Sequence, residues 1–282
     1  MSHEQNRTEQ NRTEQNRTEQ NRTEQNRTEQ NRTEQNRTPT LIDSIYKKLC
    51  LYYQKIRGRL IPLYKKSYSQ NGEDVIIKFL MDGMHLPHWT WIDIGAHHPR
   101  RLSNTAMFYK KGGHGINVEA DTNLIKSFYK ERRRDINLNV AIADKSGIMD
   151  FYKMSAPWLN TLSEQEAHEC EAMGHKIVKI IPIPTMTITE IIDKYCHGDF
   201  PEVLTLDAEG YDLKILKTIR WDISCPILIC VETSHYTREL KNQFQSMQKS
   251  EISEYLLSKG YSIVASTLVN TIFILDKMLK SD

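Results

Sequence analysis

Carboxylate side chains stand at the ends of several apolar runs in this sequence, and most have a glycine or a second acid beside them. Apolar runs rich in Ile, Val and Leu are typical of buried strands. Carboxylates and histidine can act as general bases, accept hydrogen bonds from hydroxyl groups, or bind Mg²⁺ or Mn²⁺. The residues concerned are Asp93, Glu119, Asp207, Glu209 and Glu232, with His235 just beyond the last run.

The apolar run 91–94 ends in a glycine turn. Asp93 lies near its carboxyl end and Gly95 follows, with a helix-compatible segment a few residues later. In open α/β sheets, ligands bind beyond the carboxyl ends of the strands, and a residue without a Cβ lets a ligand approach the backbone. Glu119 ends the next strand, where an acid is placed to accept hydrogen bonds from ribose hydroxyls. The alternative for both acids is an ordinary turn or surface position.

The remaining acids follow two later strands. Asp207 and Glu209 come directly after the run 203–206, whereas Glu232 ends the run 227–232 and His235 lies shortly beyond it. In a parallel sheet these side chains gather at one edge. Any of them is a candidate general base, and together they are a ligand set suited to Mg²⁺ or Mn²⁺. Acids at strand ends are also common helix caps, so this reading stays open.

The apolar runs alternate with segments of helical periodicity, which predicts an α/β domain with a parallel sheet covered by helices on both faces. Pro182 and Pro184 place the segment 177–183 at a sheet edge, because proline cannot donate a ladder hydrogen bond. Residues 155–175 show weak periodicity and are a candidate lid or substrate-contact insertion. The other strands are expected at 89–94, 116–119, 136–143, 148–152, 203–206, 227–232, 261–266 and 270–275.

The N-terminal part of the chain is a tandem repeat. Residues 4–38 are seven copies of Glu-Gln-Asn-Arg-Thr. The unit has no apolar residue, and a period of five fits neither helix nor strand, so we expect residues 1–38 to be a disordered tail. Each copy contains Asn-x-Thr, a glycosylation acceptor pattern, but expansion of a repeated coding unit explains the array without export.

Residues 39–66 are predicted to form a basic amphipathic helical connector. Residues 44–66 carry seven basic and no acidic side chains. A helix of this kind fits a peripheral contact with an anionic membrane through residues 41–66, packing on its own domain, or packing on a second subunit of a homodimer. Its apolar face consists of Leu41, Ile45, Leu49, Tyr52 and Ile56.

Residues 67–282 remain as the folded domain. This part is mildly acidic, which argues against a nucleic-acid partner. The five cysteines are an odd number without a Cys-x-x-Cys pair, which favours reduced thiols and a cytoplasmic setting, at most peripheral at the inner face of the membrane. No apolar run reaches the length of a membrane span, and the N-terminus is too polar for a signal peptide.

A series of short motifs spans about 200 residues: Tyr68–Asp74, Ile92–Ala96, Asn117–Glu119, Asn139–Ala141 with Ser146-Gly147, Leu206–Asp212, Ile229–Glu232 and Asn270–Phe273. Their order and spacing resemble the FkbM family of S-adenosylmethionine-dependent methyltransferases. The resemblance implies a Rossmann-like class I fold, with a seven-stranded mostly parallel sheet and a late antiparallel hairpin. It also implies methyl transfer, usually to a hydroxyl oxygen of a sugar, glycan or related small molecule.

The same resemblance implies roles for individual residues. Asp93 and Gly95 would hold the methionine part of the cofactor, Glu119 its ribose, and Ala141 would flank its adenine. Ala96 would also belong to the cofactor-binding residues. Ser69, Gln70 and Glu73 would close over the cofactor. His97-His98 departs from the Asn-x-Gly that many relatives have after this turn, so the geometry of the turn is expected to differ.

Two other function classes are weighed against methyl transfer. A nicotinamide-dependent dehydrogenase needs Gly-x-Gly-x-x-Gly, and the two later glycines are missing after Gly95. A non-catalytic binding module on a methyltransferase fold is the second alternative, because a fold does not ensure activity.

Overall fold

Ten strands form two sheets in the computed structural model, which describes residues 48–50, 65–86, 89–233, 250–267 and 269–279. Seven of them make one sheet in the order β3-β2-β1-β7-β8-β10-β9, parallel except for β10, which runs antiparallel to both neighbours. The strands are β1 Thr90–Ile94, β2 His114–Val118, β3 Ile136–Leu138, β4 Ala141–Ile142, β5 Gly147–Met154, β6 Ile177–Met186, β7 Val203–Leu206, β8 Leu228–Glu232, β9 Tyr261–Ser266 and β10 Asn270–Leu275.

The described residues include seven helices of at least five residues, one before β1 and six between later strands. Several begin at a side-chain cap, such as Asp121, which accepts from the Asn123 N–H, and Thr187, which forms a reciprocal capping box with Glu190. The helices are α1 Glu73–Gly83, α2 Ala106–Lys110, α3 Thr122–Glu131, α4 Glu164–Ala172, α5 Ile188–Tyr195, α6 Asp212–Leu216 and α7 Glu251–Ser258.

Successive side chains of the central strands enter two separate cores. Trp91 and Val203 pack with Ile77 of α1 and Phe108 of α2 on one face of the sheet. Ile92, Ile94, Leu204 and Leu206 pack on the other face with buried residues of α5, α6 and α7. This alternation is the period of two expected of a strand buried on both sides. The predicted fold class, a Rossmann-like class I α/β domain with helices on both faces, is confirmed.

One predicted strand, 136–143, is wrong in extent. The chain pairs with β2 only as far as Leu138, and β4 then joins a second sheet of order β4-β6-β5. The Asn139 side chain explains the break, since its amide donates to the carbonyls of Glu119 and Ala120, both at 2.9 Å. An apolar run spanning the break carries no sign of this side-chain cap.

The prediction of an edge strand holds for residues 177–183, which pair only with β5, but it is wrong for the complete strand β6. β6 extends to Met186 and lies between β4 and β5. Its pairing with β4 is limited to Thr185 and Met186, so Pro182 and Pro184 have a strand partner only in β5. The constraint on proline therefore holds locally, although the strand is central. The insertion 155–175 contains a short 3₁₀ turn at Pro157–Leu159 and α4.

The chain divides between Tyr64 and Lys65, and Lys65–Asp282 forms one compact unit. Residues 48–50, inside the predicted connector, are helical. The predicted tail 1–38 and the rest of 39–64 lie outside the described residues and stay predictions. Among the residues that the structure describes, none of the helices combines the length and apolar character that crossing a membrane requires.

Candidate active site

Strand register brings the sequence-predicted acids to one edge of the large sheet. Ile94 of β1 pairs with Val118 of β2 and with Leu206 of β7, and Leu206 pairs with Val231 of β8. The four strands therefore end at the same level, with Gly95, Glu119, Asp207 and Glu232 following or closing them. This edge is where open parallel sheets bind ligands.

Asp93 lies beneath this edge and is held by two threonines. Its carboxylate accepts a hydrogen bond from Thr105 Oγ1 at 2.7 Å and another from Thr205 Oγ1. The side chain is only 5 % exposed, and burial raises the pKa of Asp93, with the two hydroxyl groups and the Arg132 guanidinium acting in the opposite direction. The carboxylate is oriented before any ligand binds.

Gly95 has a structural reason to be glycine that the sequence argument did not give. It has φ of 73°, and a Cβ on it would lie 1.8 Å from the carbonyl oxygen of Asp207. The residue is needed because the turn packs against the end of β7, so the expected close approach of a ligand is not its main constraint. The N–H groups of Gly95 and Ala96 both donate to the Val118 carbonyl, at 3.0 and 3.2 Å.

Glu119 is buried beside the same turn. Its carboxylate accepts from the His97 N–H at 2.8 Å and from the Asp121 N–H at 2.7 Å. Burial raises the pKa of Glu119 to about 7, and the charges of Asp121 and Asp93 add to the shift, while the two N–H groups oppose it. Each oxygen keeps a lone pair, so the carboxylate retains the capacity to accept from two further donors.

Asp207, Glu209 and Glu232 form an acidic cluster. One oxygen from each can be chosen so that all lie within 4.8 Å of one another. Asp207 is exposed as a residue although its carboxylate is surrounded by neighbouring acids, and Glu209 and Glu232 are partly buried. Loss of solvation and mutual repulsion raise all three pKa values, to about 7 for Asp207 and about 9 for Glu232. His235, the fourth predicted member, lies outside the described residues.

The predicted covering segment, residues 69–73, and the preceding Tyr68 contact two distant parts of the chain, the loop after β1 and the β9–β10 turn. The Tyr68 carbonyl accepts from the Ser103 N–H at 2.9 Å. Glu73 accepts from Thr267 Oγ1 at 2.6 Å and from Asn270 Nδ2 at 3.1 Å. The three predicted covering residues differ in their environment. Glu73 is buried, Ser69 is partly buried and donates a hydrogen bond to Asp74, and Gln70 is exposed.

Ala141 is placed in the smaller sheet. It is buried in β4, opposite Thr185 of β6, and belongs to the core that also contains residues of α5 and α6. Its predicted role beside an adenine ring is untested by these contacts.

The insertion after β5 borders the acidic cluster, which sequence reasoning suggested only as a candidate lid. Thr161 Oγ1 donates to the Glu209 carbonyl at 2.7 Å, and Asn160 Nδ2 donates to Asp121 at 3.1 Å. The charge of Glu166 helps to raise the pKa values of Glu209 and Glu232. A polar cavity of about 420 Å³ lies alongside, lined by Met149, Asp150, Tyr152, Leu162, Ser163, Glu164, Gln165, Tyr211 and Lys214.

The sequence from Asp93 to Ile263, more than half of the chain, matches the family described as the methyltransferase FkbM domain. The chain belongs to the FkbM methyltransferase family. No curated protein matches it.

Two solved structures are among those to which this FkbM chain is similar. One, described as a caffeoyl-CoA O-methyltransferase from Staphylococcus aureus, is 10 % identical, with 83 % of this chain and 97 % of that chain covered at a TM-score of 0.40. The other, described as an O-methyltransferase from Klebsiella pneumoniae, is 9 % identical, with 77 % and 84 % covered at 0.36. The assignment to the family rests on the match over residues 93–263.

Proposed function

We propose that this FkbM protein transfers a methyl group from S-adenosylmethionine to a hydroxyl oxygen of a sugar, glycan or related small molecule. The observation that carries the proposal is one edge of a parallel sheet with two separate acidic features. Glu119 offers free acceptor capacity beside the glycine turn, and Asp207, Glu209 and Glu232 form a cluster two strands away. The first suits a ribose and the second suits an acceptor hydroxyl.

The residues beside the turn fit the cofactor. When bound, S-adenosylmethionine supplies an activated methyl group on a cationic sulfur. Glu119 would accept hydrogen bonds from the ribose hydroxyls, and Asp93, Gly95 and Ala96 would hold the methionine part. Glu73, through Thr267 and Asn270, keeps the covering segment tied to the β9–β10 turn. This connection helps to exclude water from the transfer.

The acidic cluster supplies the proton acceptor. A general base works best when its pKa lies near the operating pH, and the pKa of Asp207 is raised to about 7 by loss of solvation and by neighbouring Asp212, Asp93 and Glu119. The Asp207 residue as a whole is exposed, so an acceptor can approach this position, while its carboxylate is surrounded by the other acids. The pKa of Glu232 is raised to about 9, so Glu232 holds its proton more tightly than Asp207, and burial also raises the pKa of Glu209.

A divalent cation at the same cluster is the second candidate. Three carboxylates within 4.8 Å match the oxygen ligands that Mg²⁺ and Mn²⁺ prefer. A cation would neutralise the cluster and lower the pKa of a bound hydroxyl group, so that direct proton transfer to Asp207 would not be needed.

The test is a binding and transfer experiment with the whole chain. Isothermal titration with S-adenosylmethionine and with NAD separates a methyltransferase from a dehydrogenase. Transfer of labelled methyl to surface glycans and lipids from a strain lacking the gene then identifies the acceptor class. Binding without transfer to any extract favours a non-catalytic module, and no binding of S-adenosylmethionine refutes the proposal. Transfer abolished by a chelator and restored by Mg²⁺ or Mn²⁺ assigns the cation role.

A further inference from the structure

Arg132 is a fully buried cation close to the cofactor turn, with 1 % of its surface exposed. It follows α3 in a run of three arginines, and the next two, Arg133 and Arg134, are exposed. Its guanidinium pairs with Asp135 at 2.8 Å and lies over the rings of Trp91 and Tyr109, at 5.3 and 4.7 Å. Burial of a charged pair has a large desolvation cost and is weak evidence of a role in stability alone.

Two further contacts of Arg132 reach the loop that follows β1, and a third joins Nη2 to Asn117 Oδ1 of β2 at 3.4 Å. Nη1 donates to the Pro99 carbonyl at 3.0 Å, and Nη2 donates to Thr105 Oγ1 at 2.8 Å. The Thr105 hydroxyl in turn donates to Asp93 at 2.7 Å. The three side chains therefore form a continuous chain of hydrogen bonds from a fixed cation to the carboxylate beneath the turn. A hydroxyl group polarised by a cation is a stronger donor to a carboxylate.

The charges in this buried group do not cancel. One cation, Arg132, faces two carboxylates, Asp135 and Asp93, and only Asp135 contacts it directly. Burial raises the pKa of Asp93, and the hydrogen bond from Thr105 and the charge of Arg132 act against this rise, so both favour the ionised carboxylate. Other titratable groups that influence Asp93, or are influenced by it, are Glu119, Asp207 and Cys230.

We propose that Arg132 and Thr105 are positioning residues, which hold Asp93 as an oriented carboxylate for the cationic methionine part of S-adenosylmethionine. The inference rests on the proposed function, because it requires that cofactor at this turn. It goes further in assigning a task to two residues that touch no ligand. We call the hydrogen bonds from Arg132 through Thr105 to Asp93 the relay. Its consequence is selectivity, because the relay supports binding of the amino-acid part of the cofactor, whereas Glu119 binds the adenosine part.

Isothermal titration of two ligands tests this assignment. S-adenosylmethionine carries the cationic amino-acid part, and 5′-methylthioadenosine has the same nucleoside without it. Thr105→Val removes the hydroxyl at nearly constant shape. We expect it to weaken S-adenosylmethionine binding about tenfold to 100-fold, the scale of a hydrogen bond to a charged group, with 5′-methylthioadenosine unchanged within about twofold. Thr105→Ser should restore the wild-type affinity for both ligands.

The controls separate the relay from loop stability and from the proposed function itself. Arg133→Gln, at the adjacent exposed position, should change neither affinity. If Thr105→Val does not fold by circular dichroism, Arg132→Lys and Thr105→Ala test the same relay and should show the same selective loss. Equal weakening of both ligands, or unchanged S-adenosylmethionine affinity in folded variants, overturns the inference. Failure of the wild-type protein to bind S-adenosylmethionine overturns the proposed function instead.

Discussion

The affinity of this protein for S-adenosylmethionine should depend on pH through Glu119. The ligand-free carboxyl has a pKa of about 7, so it is protonated in a large fraction of molecules at pH 6 and ionised at pH 8. Ribose hydroxyls donate to the ionised form, so binding favours loss of the proton. Return of the pKa to its ordinary value of 4.5 would correspond to about 3 kcal/mol of coupling, which sets the upper limit of the effect.

The size of the change follows from the fraction ionised. With a bound-state pKa well below 6, affinity rises about tenfold between pH 6 and pH 8 and levels off above that. Isothermal titration in phosphate and in Tris, whose ionisation enthalpies differ, should show release of about half a proton at pH 7. Glu119→Gln should weaken binding by about 1–3 kcal/mol and remove this proton release.

Two control variants separate the ionisation of Glu119 from other groups that titrate between pH 6 and 8. The amino group of the ligand titrates too, but its contribution is the same in Glu119→Gln and can be subtracted. Asp207→Asn should leave the Glu119-dependent step in place, although Asp207 has a similar pKa. Wild-type affinity that is constant from pH 6 to 8, with no difference between the buffers, would show that Glu119 does not contact the ribose.

Four further predictions concern the rest of the chain. Asp207→Asn should cut methyl transfer by about 10²–10⁴ with little change in cofactor affinity, and normal turnover would make Asp207 structural. Glu232→Gln should raise the melting temperature at pH 8 by about 2–4 °C. The folded-state pKa of Glu232 is raised from 4.5 to about 9, so the wild-type protein loses folding stability as the pH rises through this range, and the neutral glutamine removes that loss. An unchanged melting temperature in thermal unfolding would contradict this. Deletion of residues 1–38 should leave folding and cofactor binding intact by circular dichroism and titration. If residues 44–66 bind a membrane surface, co-sedimentation of the protein with liposomes should require anionic lipid and weaken as the salt concentration rises. Equal binding to neutral vesicles would contradict this membrane contact.

Strand ends were the part of the site that sequence could predict. An apolar run followed by an acid predicts the level of Glu119 and Asp207 in a parallel sheet, because all such strands end at one edge, and Asp93 lies two positions lower, opposite Asn117 and Thr205. Side-chain partners across the fold are different. Nothing in three successive arginines indicates that only Arg132 is buried, since that depends on contacts with residues 99 and 105.

Gly95 and Glu73 show the same limit from the other direction. Gly95 was predicted correctly as a turn residue. The atom that a Cβ at this position would collide with belongs to Asp207, more than a hundred residues away. Glu73 was predicted to cover a cofactor, and its carboxylate is bonded to Thr267 and Asn270. Sequence periodicity describes a residue's own element, whereas these constraints arise where different elements meet.

The bond between Glu73 and the β9–β10 turn has a consequence for biosynthesis. Its two ends, Glu73 and Thr267, are separated by 194 positions in the chain. During translation the covering segment is made early and waits for its partners until nearly the whole domain has left the ribosome. β10 must also insert between β8 and β9 at this last stage. Closure of such distant contacts is a slow step in folding, so a nascent chain ties residues 69–73 to the sheet only at the end of synthesis.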